Sequence, residues 1–347
     1  MESDYLDEAL STFATTAPLF GSHGLSNHGP MASEVLDYMG RAEAIPAWVA
    51  AYRTKLDDAP PPADKPLSES EWPRALGARD RFPEWLALFE TEIADQPVQA
   101  VVGEWVPRLV PGTIGAATHG LIRTAHALRA LRGADTGPRR LELAHGLAHW
   151  ATQYQELPGP PLLIGHQDVP HALADLPYLP EETPQEFLIT EQVAHVADIA
   201  DEFEQSVASL GHSGDPIALL DALAIGGARA YLRNAGEGNP IALIHTVTAP
   251  LALEMVLPWL AEEDREAALA YAWQAVAAIH VAYAIDRHAP DEASGALPTT
   301  DELVEAAVES GDEHALKLTE AVLRCHARTD ESDLLWAAAD ASARLGR

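Results

Sequence analysis

Apolar residues recur three and four apart over most of this chain, the spacing that lines one face of an α-helix. The pattern predicts helices over 5–15, from the turn at 21–32 through Tyr38, and over 45–55, 85–94, 98–109, 113–131 and 141–155. It continues with 185–210, 216–234, 241–260, 263–285, 301–310, 314–328 and 332–344. Pro30 suits a first helical turn, and Ser26 or Asn27 can cap it. Three stretches break the pattern: the Pro-rich 58–66, the Pro- and Asp-rich 158–184, expected to be a long surface excursion, and 285–300. No strand-like alternation of any length and no repeat at a fixed period occurs. The expected fold is all-α, a single large multi-helix domain over 1–347.

Composition changes this picture little. Apolar residues make up 47% of the 347 positions, enough for a sizeable core. The 22 Lys and Arg against 53 Asp and Glu give a net charge of −31. That balance argues against nucleic acid or an anionic membrane surface as partner. The stretch 268–285 is long and apolar, but it carries Gln274 and His280 and is expected to be a buried helix rather than a membrane span. The single cysteine, Cys325, leaves no internal disulfide and fits a reducing compartment. The start Met1-Glu2-Ser3-Asp4 lacks the pattern of a signal peptide, so a cytoplasmic protein is expected.

Candidate chemistry lies in the histidines, 15 of them against 3 lysines. His119, His145, His149, His245, His280 and His314 all fall within apolar helical runs, and a helical core can collect imidazole ligands from facing helices. His145 and His149 are four apart, a spacing for two ligands, but Gly146 stands where a metalloprotease motif needs Glu. His119 and His126 are seven apart, so one of them is expected to be structural. Near the end, Lys317 shares the apolar face of its predicted helix with His314, Leu318 and Ala321. It either snorkels or pairs with Glu313 or Glu320, or belongs with His314 to a polar site inside the protein. No phosphate-cradling Gly-rich loop, nucleophile elbow, Cys pair or pair of Glu-x-x-His motifs is present.

Five short motifs occur in order: Ser26-Asn27-His28-Gly29-Pro30-Met31, His119 to His126, Leu143-Ala144-His145-Gly146-Leu147-Ala148, Ile244-His245-Thr246-Val247-Thr248 and His314-Ala315-Leu316-Lys317. Together they resemble the questin oxidase-like family, over about Leu6 to Arg328. The resemblance implies an all-helical oxygenase of secondary metabolism that opens rings of aromatic polyketides such as anthraquinones with O₂. It implies a non-haem Fe(II) held by four histidines and a carboxylated lysine. On the matching motifs the lysine is Lys317, and His28, His119 and His245 are ligands. The fourth is His314 or His280, with His314 favoured because it shares a face with Lys317. His149 belongs to no such motif.

A carbamate on Lys317 needs a neutral amine, which burial would supply. Arg123, one turn after His119, either pairs with a phenolate of the substrate or makes an ordinary salt bridge. Trp48, Trp105, Trp273, Tyr231 and Tyr283 are candidates to stack on a planar ring. NAD(P)H is a candidate external reductant, although no fold for it is seen. The alternative function is a non-catalytic helical binding protein whose histidines are structural or hold zinc. A third is a metal hydrolase with a carbamylated lysine.

Overall fold

In a computed structural model, residues 4–212, 214–286 and 296–346 are described. The chain divides into two compact units, Met1–Gln155 with Met255–Ala261, and Glu156–Glu254 with Glu262–Arg347. The fold is all-α.

The first unit contains α1 (Tyr5–Phe13), a hairpin of β1 (Leu19–Phe20) and β2 (Leu25–Ser26), α2 (Gly29–Tyr38), α3 (Ile45–Tyr52), α4 (Trp72–Ala75), α5 (Phe82–Asp95), α6 (Val98–Leu109), α7 (His119–Gly133) and α8 (Gly137–Thr152). Its aromatic core is Trp85, Phe89 and Trp105, with Trp105 edge-on to the other two at 5.6 and 5.0 Å between ring centroids. Helices α7 and α8 approach closely because each offers a glycine. A Cβ at Gly120 would lie 2.6 Å from Trp150 Cα, and one at Gly146 would lie 3.1 Å from Thr124 Cα. The glycines of the His119 and His145 motifs are therefore packing residues.

The second unit contains α9 (Val169–Ala174), α10 (Ile189–Ala194), α11 (Ala200–Val207), α12 (Pro216–Asn234), α13 (Pro240–Val256, whose last two residues fall in the first unit), α14 (Glu262–Tyr283), α15 (Thr300–Ser310), α16 (Glu313–Thr329) and α17 (Ser332–Leu345). Its core joins Tyr231, Leu243, Ile244, Val247, Leu251, Leu318, Val322 and Leu334. Among the described residues one stretch, Pro240–Trp259, is long and apolar enough to cross a membrane; 83% of its most apolar window is buried in the protein, as in a core helix.

Four expectations change. The hairpin at 19–26 was not visible as alternation, because each strand is only two residues long. The helix expected at 113 starts at His119, because Ala116, Ala117 and Thr118 all have positive φ. The helix expected over 185–210 breaks into α10, a 3₁₀ turn at His195–Ile199 and α11, and Ile199 leaves helical geometry at φ −125° and ψ 35°. The stretch 158–184 is only partly a surface excursion. It contains α9, capped by Asp168, and buries Val169, Ala172 and Leu173. Most of the loop expected at 285–300 lies outside the described residues.

Candidate functional site

In the first unit, the motif around His28 is a local scaffold. Asn27 Nδ2 donates to Thr16 Oγ1 (2.8 Å) and Ala17 O (3.1 Å), and its Oδ1 accepts from Gly29 N (2.9 Å). The His28 amide donates to the Tyr52 hydroxyl at 3.0 Å. A Cβ at Gly29 would sit 2.4 Å from the Phe13 ring, so a larger residue would displace the start of α2. The N-cap position of α2 falls at His28 rather than at Ser26 or Asn27, with no side-chain cap bond, and Asn27 instead braces the entry to the helix through Gly29 N. His28 is buried, and its ring stacks on His119 at 4.4 Å and 17°.

His119 opens α7 directly after the left-handed turn, with φ of 49°, 53° and 69° at Ala116, Ala117 and Thr118. For a residue with a Cβ this conformation costs about 1–2 kcal/mol. His119 Nδ1 donates to the Ala116 carbonyl at 2.5 Å. A carbonyl only accepts, so Nδ1 carries the proton and the neutral ring has its lone pair at Nε2.

In the second unit, Asn239 Oδ1 accepts from Ala242 N at the start of α13 (3.1 Å). His245 Nδ1 donates to Ile241 O at 2.7 Å, which again puts the lone pair on Nε2. Burial, with the nearby Lys317 and His314, holds His245 well below the ordinary histidine range, so it is neutral. Asp312 caps α16, accepting from His314 N (2.8 Å) and Ala315 N (3.2 Å). His314 meets His245 edge-on, centroids 5.8 Å apart.

Lys317 is 2% exposed, so it does not snorkel. Nor does it pair with Glu320, which accepts from Arg324 Nε at 2.5 Å. Among the described residues no hydrogen bond reaches Lys317 Nζ. Burial lowers its amine to about 8, against the opposing charges of Glu313 and Asp312. A lowered amine pKa, which raises the neutral fraction near neutral pH, is the chemical requirement for adding CO₂.

A clamp holds α16 beside α13. Glu254 accepts from both Arg324 and Arg328, and Arg328 Nη2 also donates to Asp221 of α12 at 2.5 Å. His245 meets His314, and nine residues later Glu254 meets Arg324, so the two helices run in the same sense here.

The remaining candidates are placed as follows. Arg123 makes a buried bidentate pair with Glu142, Nε to Oε1 at 2.6 Å and Nη2 to Oε2 at 2.9 Å, and no hydrogen bond reaches Nη1 among the described residues. Burial raises Glu142 even against that cation. His126 is structural, donating to Glu34 at 2.7 Å, and Arg129 and His126 hold Glu34 low despite its burial. His145 packs on Phe82, and His149 Nε2 lies 3.4 Å from Ser26 Oγ. Burial, helped by the Arg123 charge, pushes both to about 3. His280 is buried in α14. Trp105, Trp273 and Tyr231 are core, with Trp273 Nε1 on Val207 O (2.9 Å) and the Tyr231 hydroxyl on Asp340 (2.8 Å). Trp48 stacks on Tyr52.

None of the curated proteins compared matches the chain. Residues 40–223 match the family described as questin oxidase-like, a span that includes His119, Arg123 and the His145 motif and ends before His245, His314 and Lys317. By that match over more than half its length, the chain belongs to the questin oxidase-like family.

Proposed function

We propose that this protein is a metal-dependent oxygenase that oxidises or opens the ring of an aromatic polyketide, with a phenolic anthraquinone-like compound as the substrate class. Family membership suggests an oxygenase of secondary metabolism acting on a small molecule with O₂. The finer reading concerns the metal. Its expected donors are His28, His119, His245, His314 and Lys317. The observation that carries it is Lys317, a buried amine with no hydrogen bond among the described residues, beside two histidines.

The donor chemistry fits. His119 and His245 each hold the proton on Nδ1 and the lone pair on Nε2, the tautomer that binds a divalent metal. The neutral Lys317 amine adds its lone pair to the carbon of CO₂. An N–C bond forms, one N–H proton leaves to solvent, and the product is an anionic oxygen ligand. Four imidazole donors with one carbamate suit Fe(II). When bound, iron would supply activation of O₂ toward an electron-rich ring. Arg123 would pair with a substrate phenolate through Nη1, while Glu142 holds the other side of its guanidinium in place. His280 remains the alternative to His314. The reading further places the protein in the cytoplasm, with NAD(P)H as an external reductant and no nucleic acid or membrane partner.

The test is metal analysis of anaerobically purified protein beside Lys317→Ala and His28→Ala variants. About one iron per chain is expected in the parent and little in either variant. A ¹³C-bicarbonate NMR spectrum should show a carbamate that Lys317→Ala lacks. Full iron content in Lys317→Ala would remove the lysine from the ligand set. Zinc instead of iron, with no turnover of anthraquinones under O₂, would favour a non-catalytic binding protein.

A further inference from the structure

The left-handed turn before His119 is not explained by helix capping. Thr is a good N-cap residue, yet Thr118 makes no cap hydrogen bond, and its buried Oγ1 has no partner among the described residues. Nor is the conformation built from glycine, which would adopt it without cost. The segment is wedged instead. A Cβ at Gly115 would lie 2.0 Å from Gln153 O, and one at Gly112 would lie 2.3 Å from the Tyr154 ring. Trp150 Nε1 reaches Gly112 O at 3.3 Å, so the end of α8 fixes the path of the chain into the turn.

The turn has one evident product. In a right-handed helix continuing back from α7, the Ala116 carbonyl would accept from the Gly120 amide. Three consecutive positive φ values take it out of that ladder, and it accepts instead from the His119 amide, three residues on, and from the His119 ring.

We propose that Ala116-Ala117-Thr118 is a tautomer lock, a positioning device that turns the Ala116 carbonyl onto His119 Nδ1 and so commits Nε2 to metal binding. The clause about metal rests on the proposed function; the tautomer does not. Outer-shell partners of this kind are worth 10–100-fold in metal affinity.

The experiment uses full-length protein with ¹⁵N-labelled histidine, metal-free, and reads the ring-nitrogen shifts, with His119→Gln assigning the signal. In the parent, His119 is expected to carry its proton on Nδ1. Thr118→Gly, which allows positive φ without strain, should keep that tautomer and raise the thermal midpoint. Ala117→Val, whose branched side chain resists positive φ, should move the proton to Nε2. It should also weaken Co(II) binding, followed by its visible absorption, about 10–100-fold. A parent with the proton on Nε2 overturns the proposal without need of any variant. An Ala117→Val protein that folds and keeps the Nδ1 proton also overturns it. If the tautomer behaves as stated but the parent binds neither Co(II) nor Fe(II), the lock stands and the metal reading fails.

Discussion

The two units present their candidate donors by different means. In the first, His28 and His119 stand at the starts of helices, and irregular backbone aims them: a hairpin of two-residue strands, the Asn27 side chain, the Tyr52 hydroxyl and a left-handed turn. In the second, His245 and Lys317 lie within regular helices, and helix packing with an arginine clamp aims them, while His314 stands at the start of α16 under the Asp312 cap. Donors at helix starts inherit their position from local backbone geometry. Donors within helices inherit it from the register of the whole helix. The first arrangement should be sensitive to single Cβ atoms, and the second to the loss of charges some distance away.

The strongest test of this contrast is Glu254→Ala, which leaves Arg324 and Arg328 facing each other without their shared acceptor. It should cost roughly 2–3 kcal/mol, less than a wholly buried pair because Arg328 is about a third exposed. Urea unfolding would measure it, and metal affinity should fall with it. An unchanged affinity in a destabilised variant would mean that the clamp does not set the register of α16. Next in size, Gly115→Ala should cost about 1–3 kcal/mol, because its new Cβ meets backbone rather than a flexible side chain. The same measurement on Gly137→Ala, where nothing lies within 4 Å, should show no such loss.

Acid sensitivity should come from buried histidines of both units, His145 and His149 in the first and His245 in the second. His145 and His149 titrate near 3 in the folded protein and near 6.5 when unfolded. Between those values the unfolded chain binds more protons, so stability falls as pH falls from about 6.5 toward 3. The limit is about 1.4 kcal/mol per pH unit for each histidine. A His145→Gln/His149→Gln variant should flatten this slope, and an unchanged slope would assign it to other groups. The smallest effect is expected at Thr299, which forms a capping box with Glu302 at the start of α15. Thr299→Ala should cost about 1 kcal/mol and leave metal content intact.

The all-helical fold was legible because a three-four repeat of apolar residues leaves little choice of secondary structure, and most helix bounds fell within a few residues. The positions of Lys317 and His314 on one buried face followed from the same periodicity. The devices that aim His119 were not legible. Ala116-Ala117-Thr118 reads as ordinary helix former and cap, and the residues that seat the chain just before it, Gln153 against Gly115 and Tyr154 against Gly112, lie far along the chain. Gly120 and Gly146 did offer a signal: a glycine after a histidine within an apolar helical run, which is costly unless something packs there. Arg123 could not be assigned from sequence because its partner Glu142 lies on another helix.

The close seat of α7 on α8 also bears on the order of folding. The two helices are separated by only residues 134–136 and lock through glycines near both contacts, so their pairing closes a very short loop. Short-range pairings of this kind form early. We therefore expect the amides of 121–131 and 141–151 to be the first protected in pulse-labelled hydrogen exchange during refolding, and late protection there would refute it. On that order α8 exists before the turn ahead of His119 is pressed left-handed, so the strained residues are set against a finished surface rather than helping to build it.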